Sequence, residues 1–203
     1  MRPTSVHASA RRAASACLLA LWAASAHGAP QTIQVINFEG QPQVGAAVSV
    51  MVRGTRPAAP PGTLAEMGQR QRAFVPALLV VQTGTAVNFP NFDTVRHHVY
   101  SFSPTKPFEI KLYAGTPAAP VVFDKAGTAT LGCNIHDRML AHIHVVDTPF
   151  FGVTDALGRV TIDVPDGEHR VRVWMPAMGE GRPGVEQALR TASTPVIVRL
   201  AAP

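Results

Sequence analysis

The stretch Cys133-Asn134-Ile135-His136-Asp137-Arg138-Met139 constrains this chain more than any other. A thiol, an imidazole and a thioether recur at every third position, so one tight loop gathers three donor side chains. The loop runs at once into the strand-like run 140–146. Upstream, Asn88-Phe89-Pro90-Asn91-Phe92-Asp93-Thr94-Val95-Arg96-His97-His98-Val99-Tyr100 supplies two further imidazoles.

Thiolate, imidazole and thioether are soft or borderline ligands, and that mixture suits copper in both its oxidation states. Blue-copper electron-transfer centres use two His, one Cys thiolate and a weak axial Met. Cys133, His136 and Met139 are three of these, and the second His comes from His97 or His98. Adjacent strand residues face opposite sides, so only one of that pair can point at the metal. Both imidazoles must be neutral to bind, so acid competes with the metal. His142 and His144 share a strand face opposite Ile143 and Val145. They are expected to face solvent, with a weak accessory metal site between them.

The N-terminus reads as a secretory signal over residues 1–26, with Arg11 and Arg12 before an apolar stretch and Ala24-Ser25-Ala26 as the cleavage site. Cleavage removes Cys17, and Cys133 is then the only thiol of an exported protein. An idle thiol in an oxidising compartment is a liability, which a metal-bound thiolate removes. The formal charge of the full chain is +5; without Arg2, Arg11 and Arg12, 15 basic residues face 13 acidic ones. No basic run or stacking-aromatic motif points to nucleic acid. No later apolar run is long enough to span a membrane. The periplasm is the expected location.

With 16 Gly and 18 Pro, and with Val, Thr, Phe and Ile alternating against polar residues, the 203-residue chain reads as all-β. Strands are expected over 32–38, 44–53, 74–81, 86–89, 95–101, 108–113, 121–123, 128–133 and 140–146. Further strands flank the turns at Asp155-Ala156-Leu157-Gly158 and Pro165-Asp166-Gly167, cover 169–175, and close the chain over 194–200. Residues 54–62 form a Pro- and Gly-rich break. Residues 64–72 are polar and are expected to make a short helical turn.

Cys-x-x-His-x-x-Met followed by Ile143-x-Val145 resembles the ligand loop and last strand of the cupredoxins, with the ligand spacing of amicyanin. His97-His98-Val99 resembles the first-ligand strand of amicyanin and plastocyanin, which reads Pro-His-Asn-Val. Aligning on the Val makes His97 the copper ligand and leaves His98 in reserve, in the place of an Asn. Phe-Pro-Asn-x-Asp together with His-His-Val-Tyr-Ser-Phe-Ser-Pro and Gly-Cys-Asn-Ile-His-Asp resembles exported cupredoxin-like proteins often labelled "methylamine utilization protein". The chain departs from the cupredoxin pattern at Ile135, where Pro usually precedes the loop His, and at Leu131, where an aromatic usually stands. The ends, with Glu39-Gly40-Gln41-Pro42 and Val164-Pro165-Asp166-Gly167, resemble a carboxypeptidase-regulatory-like (transthyretin-like) β-sandwich.

These resemblances imply a cupredoxin-like Greek-key β-barrel over 70–148, joined to or inserted in a small β-sandwich made of 31–53 and 150–201. They imply one type 1 copper held by His97, Cys133, His136 and Met139. The function implied is single-electron transfer with a periplasmic dehydrogenase or a c-type cytochrome. No nucleophile elbow or paired-carboxylate constellation suggests an enzyme, and four protein ligands leave copper no open position. The alternatives are a copper carrier without redox cycling and a metal-free structural β module.

Overall fold

A computed structural model describes residues 28–202 of the chain. The signal segment 1–26 lies outside the described residues. These form 17 β-strands and one short 3-10 turn, with no α-helix among them, so the all-β expectation holds. No helix among them is long and apolar enough to cross a membrane.

Two apolar cores organise the strands. Strands β1 (Ala29–Ile36) and β2 (Ala47–Met51) come from one end of the described chain. From the other come β13 (Phe151–Val153), β14 (Arg159–Val164), β15 (Glu168–Trp174), β16 (Val185–Arg190) and β17 (Val196–Arg199). They make two sheets, β14-β1-β17 and β13-β2-β15-β16. Between these, Ile33, Val35, Val48, Val50, Val171, Val173 and Val198 are buried.

The strands between the ends surround the other core. They are β3 (Leu64–Glu66), β4 (Gly68–Arg70), β5 (Ala73–Val75), β6 (Leu78–Gln82), β7 (Thr85–Asn88), β8 (His97–Ser101), β9 (Phe108–Tyr113), β10 (Val121–Phe123), β11 (Gly127–Cys133) and β12 (Leu140–Val146). Their principal sheet runs β6-β12-β11-β8-β9 and is packed against β10-β7-β3.

Period-two alternation sets both faces of the principal sheet. Ala129, Leu131 and Cys133 of β11, Ala141, Ile143 and Val145 of β12, and Val99 of β8 point inward. Thr128, Thr130, His142 and His144 point outward, where the other half of the molecule covers them. The indole of Trp174 is fully buried and stacks on the His144 ring, 4.8 Å between centroids and 6° from parallel; it meets the His142 ring edge-on at 5.7 Å. Thr128 and Thr130 hydrogen-bond the Nδ1 atoms of His144 and His142. The Glu180 carboxylate accepts hydrogen bonds from the hydroxyls of Thr130 and Ser103.

Several expectations are corrected. His142 and His144 do not face solvent: His144 is buried and His142 half-buried, because β15 lays Trp174 over their side of the sheet. Residues 64–72 form no helical turn. Their polar side chains belong to two short strands, β3 and β4, paired with β7 and β5. The run 74–81 is two strands, since Pro76 has no N–H to continue a ladder. Strand β16 was not legible: Glu186, Ala188 and Arg190 are exposed, and the edge strand is held by its pairing with β15.

Burial of the His144 ring, with Arg172 nearby, pushes its pKa down from 6.5 to about 4. A group whose pKa is depressed on folding contributes stability above its unfolded pKa and loses it as pH falls. The loss therefore runs from pH 6.5 to about 4. The full effect is roughly 3 kcal/mol. Urea unfolding of metal-free protein at both ends of that window should show His144→Gln losing markedly less stability on acidification than the parent. Equal losses would remove His144 from the account.

Candidate metal centre

Cys133 ends the inward row of β11, and the ladder pairs it with Val99 of β8. His97 lies two residues before Val99, on the same inward face, with no exposed surface. After Cys133 the chain leaves the sheet. The Met139 amide donates to the His136 carbonyl at 3.0 Å, which turns the loop back into β12. His136 thereby swings over Cys133, half-buried, and Met139 enters the apolar cluster that contains Cys133.

Among the described residues, His97, Cys133 and His136 are the one group of three side chains of metal-binding type close enough to share an ion. Their donor atoms all lie within 4.8 Å of one another. Cys133 Sγ stands 3.8 Å from His97 Nδ1 and 3.6 Å from His136 Nδ1. A trigonal ion with metal–nitrogen bonds of about 2.0 Å and a metal–sulfur bond of about 2.3 Å separates such a pair by about 3.7 Å. The spacing fits a metal, and the donor set fits copper.

His98 points the other way. Its Nε2 meets Glu109 Oε1 at 2.8 Å on the outer face, a surface pair of little energetic weight. Its ring does not reach the Cys133 segment, but its carbonyl accepts from the Asn134 amide at 3.2 Å. The two donor-bearing segments are thus tied through the backbone, which any residue at 98 supplies. One turn of the ladder earlier, the Tyr100 ring lies against Gly132. A Cβ at Gly132 would come within 2.6 Å of that ring, so glycine immediately before Cys133 makes room for it.

Asp93 holds His97 from behind. Its Oδ2 lies 2.9 Å from His97 Nε2 and also accepts from the Arg72 amide at 2.9 Å, while Oδ1 accepts from the Gln71 amide at 2.6 Å. An ionised carboxylate only accepts, so His97 Nε2 carries the proton, and in the neutral ring the lone pair sits on Nδ1, facing Cys133. Gln71 and Arg72 adopt left-handed conformations, φ 53° and 57°, costly for non-glycine residues. That turn joins β4 to β5 and aims both amides at the carboxylate. Burial works to raise the Asp93 carboxyl, but the Arg72 amide, the His97 ring and the Gln71 amide together hold it below the usual carboxylate range.

Asn91 shapes the loop between. Its Oδ1 accepts from the Asp93 amide, and its Nδ2 donates to the carbonyls of Val95 and Tyr113. Under it, the buried Gln69 amide donates to the Phe89 carbonyl and to the Tyr113 hydroxyl. Burial, partly opposed by the Gln69 bond, pushes the Tyr113 phenol up to about 12, so it stays a neutral donor to the Phe89 carbonyl. Sequence reasoning assigned Asp93, Gln69 and Tyr113 no role. The readable signal was the Asn-x-Asp turn with an Asp four residues before a His; nothing local marked Gln69 or Tyr113.

No family profile and no curated protein matches the chain. Solved structures do. A purple cupredoxin from Nitrosopumilus maritimus is 20% identical over 40% of this chain and 98% of its own, with a TM-score of 0.35. Amicyanin from Paracoccus versutus is 15% identical over 48% of this chain and 96% of its own, TM-score 0.35. A copper-containing nitrite reductase from Thermus scotoductus is 22% identical over 55% of this chain but 28% of its own, TM-score 0.38. At such scores, the reading of a metal centre rests on the side chains themselves.

Removing Asp93 strands two turn amides and the His97 ring. Asp93→Ala should cost the metal-free protein about 3 kcal/mol, at about 1.5 kcal/mol or more for each bond to a charged acceptor with partial replacement by water. Asp93→Asn, which keeps one acceptor oxygen, should cost less. Urea unfolding measures both, and an Asp93→Ala loss below the Asp93→Asn loss would contradict this order.

Proposed function

We propose that this is a type 1 copper protein of the exported cupredoxin kind, which carries single electrons between periplasmic redox proteins such as a dehydrogenase and a c-type cytochrome. The copper unit would be 70–148, and 31–53 with 150–201 a sandwich bolted to its outer face through Trp174. The observation that carries this reading is the spacing of His97 Nδ1, Cys133 Sγ and His136 Nδ1, which suits one trigonal ion.

Copper bound there supplies a one-electron couple. The residues do the rest. Cys133 would offer a thiolate, His97 and His136 imidazole nitrogens, and Met139 a thioether. Asp93 fixes the His97 ring, so neither oxidation state has to reorganise it. Cys133, His97 and Met139 are buried, which keeps water from the metal, while His136 keeps part of its surface exposed and would be the edge through which electrons enter and leave. A centre closed by four side chains transfers electrons and leaves substrate no place to bind, so the protein is read as a carrier and not an enzyme.

Loading the purified protein with Cu(II) should give an intense thiolate-to-copper band in the visible spectrum. Cys133→Ser and His97→Ala should abolish the band, and His98→Ala should keep it. Cu(I) binding without a stable Cu(II) form would favour a copper carrier. Failure to bind copper in either state would leave a structural module. A band lost in His98→Ala and kept in His97→Ala would reverse the ligand assignment.

A further inference from the structure

Four arginines stand on the chain segments that build the proposed metal centre. Arg70 precedes and Arg72 belongs to the turn whose amides hold Asp93, Arg96 immediately precedes His97, and Arg138 lies between His136 and Met139. All four are exposed, and none occurs among the ion pairs of the described residues. Of the other cations among the described residues, Arg170 and Arg172 bind Glu186 and Lys106 binds Asp124, and the rest likewise occur in no ion pair.

The carboxylates on these same segments offset the four arginines only in part. Asp93 is turned inward, its oxygens occupied by two amides and the His97 ring. Asp137 is the one outward-facing carboxylate on the ligand loop. Arg70 is also held in place, its guanidinium 3.8 Å from the centroid of the Phe92 ring. The same segments carry exposed apolar side chains: Phe92, Ile135 and Leu140.

We propose that this arginine collar docks the acidic face of a protein partner over the His136 edge. That the partner is a redox protein rests on the electron-carrier reading; the docking itself does not. An apolar centre rimmed by arginine is the composition of a protein interface. Each guanidinium can take a carboxylate in two parallel hydrogen bonds, which a lysine cannot do. Four cationic side chains on these segments, against the one outward carboxylate of the ligand loop, would also steer an acidic partner toward His136.

The test uses isotope-labelled, metal-free full-length protein, so it stands whether or not copper binds as proposed. Titration with a short oligoglutamate peptide at low salt should shift amide resonances in three segments, 68–73, 92–97 and 134–140. The shifts should vanish at about 0.5 M salt, where charges are screened beyond about 4 Å. The double variant Arg70→Gln/Arg138→Gln should bind the peptide severalfold more weakly, while Arg190→Gln should bind as the parent does. The proposal is overturned if the shifts cluster on β15 and β16, if salt leaves them unchanged, or if Arg190→Gln weakens binding as much as the double variant. Binding of these segments to phosphatidylglycerol vesicles but not to the peptide would also overturn it.

Discussion

The hydrogen bond between Asp93 and His97 decides what the site can be. A buried imidazole beside a thiol can present either nitrogen, and only one choice leaves a lone pair facing Cys133. The carboxylate makes that choice because it can only accept. Its own position is secured by a turn that places two non-glycine residues in left-handed conformations to aim their amides at it. The local cost of that turn is offset by hydrogen bonds to a charged acceptor, which are stronger than bonds between neutral groups. The donor geometry therefore exists in the polypeptide itself, and a metal would meet it largely formed.

The rest of the fold serves the same arrangement from farther away. The inward row of β11 delivers Cys133 to the end of a packed strand, and the β8 ladder brings His97 to meet it. On the opposite face, the Trp174 indole covers His144 and His142, so the strand carrying the loop exit is packed on both sides. A rigid sheet beneath a short loop limits how far His136 can move relative to Cys133. That constraint suits a centre whose geometry should change little between oxidation states.

Much of this was legible in the sequence because it is local. The Cys133-to-Met139 loop brings its own donors together, period-two alternation allowed only one of His97 and His98 to point at the metal, and the likeness to Pro-His-Asn-Val chose His97. What was not legible depends on contacts distant in sequence. Alternation put His142 and His144 on the outer face, but only β15, some thirty residues later, shows that this face is covered. The polar composition of 64–72 suggested a helical turn, yet these residues join sheets through partners at 73–75 and 85–88. Asp93 stood in a motif read for its likeness alone, and its role emerged once the turn at Gln71 and Arg72 was seen to close on it.

The most direct measurement is the tautomer of His97 in the metal-free protein, read from the side-chain nitrogen resonances of isotope-labelled histidine at neutral pH. The structure predicts a proton on Nε2, hydrogen-bonded to Asp93, and a bare Nδ1; Asp93→Ala should allow the ring to populate both forms. A proton found on Nδ1 in the parent protein would contradict the account, because the lone pair would then face away from Cys133.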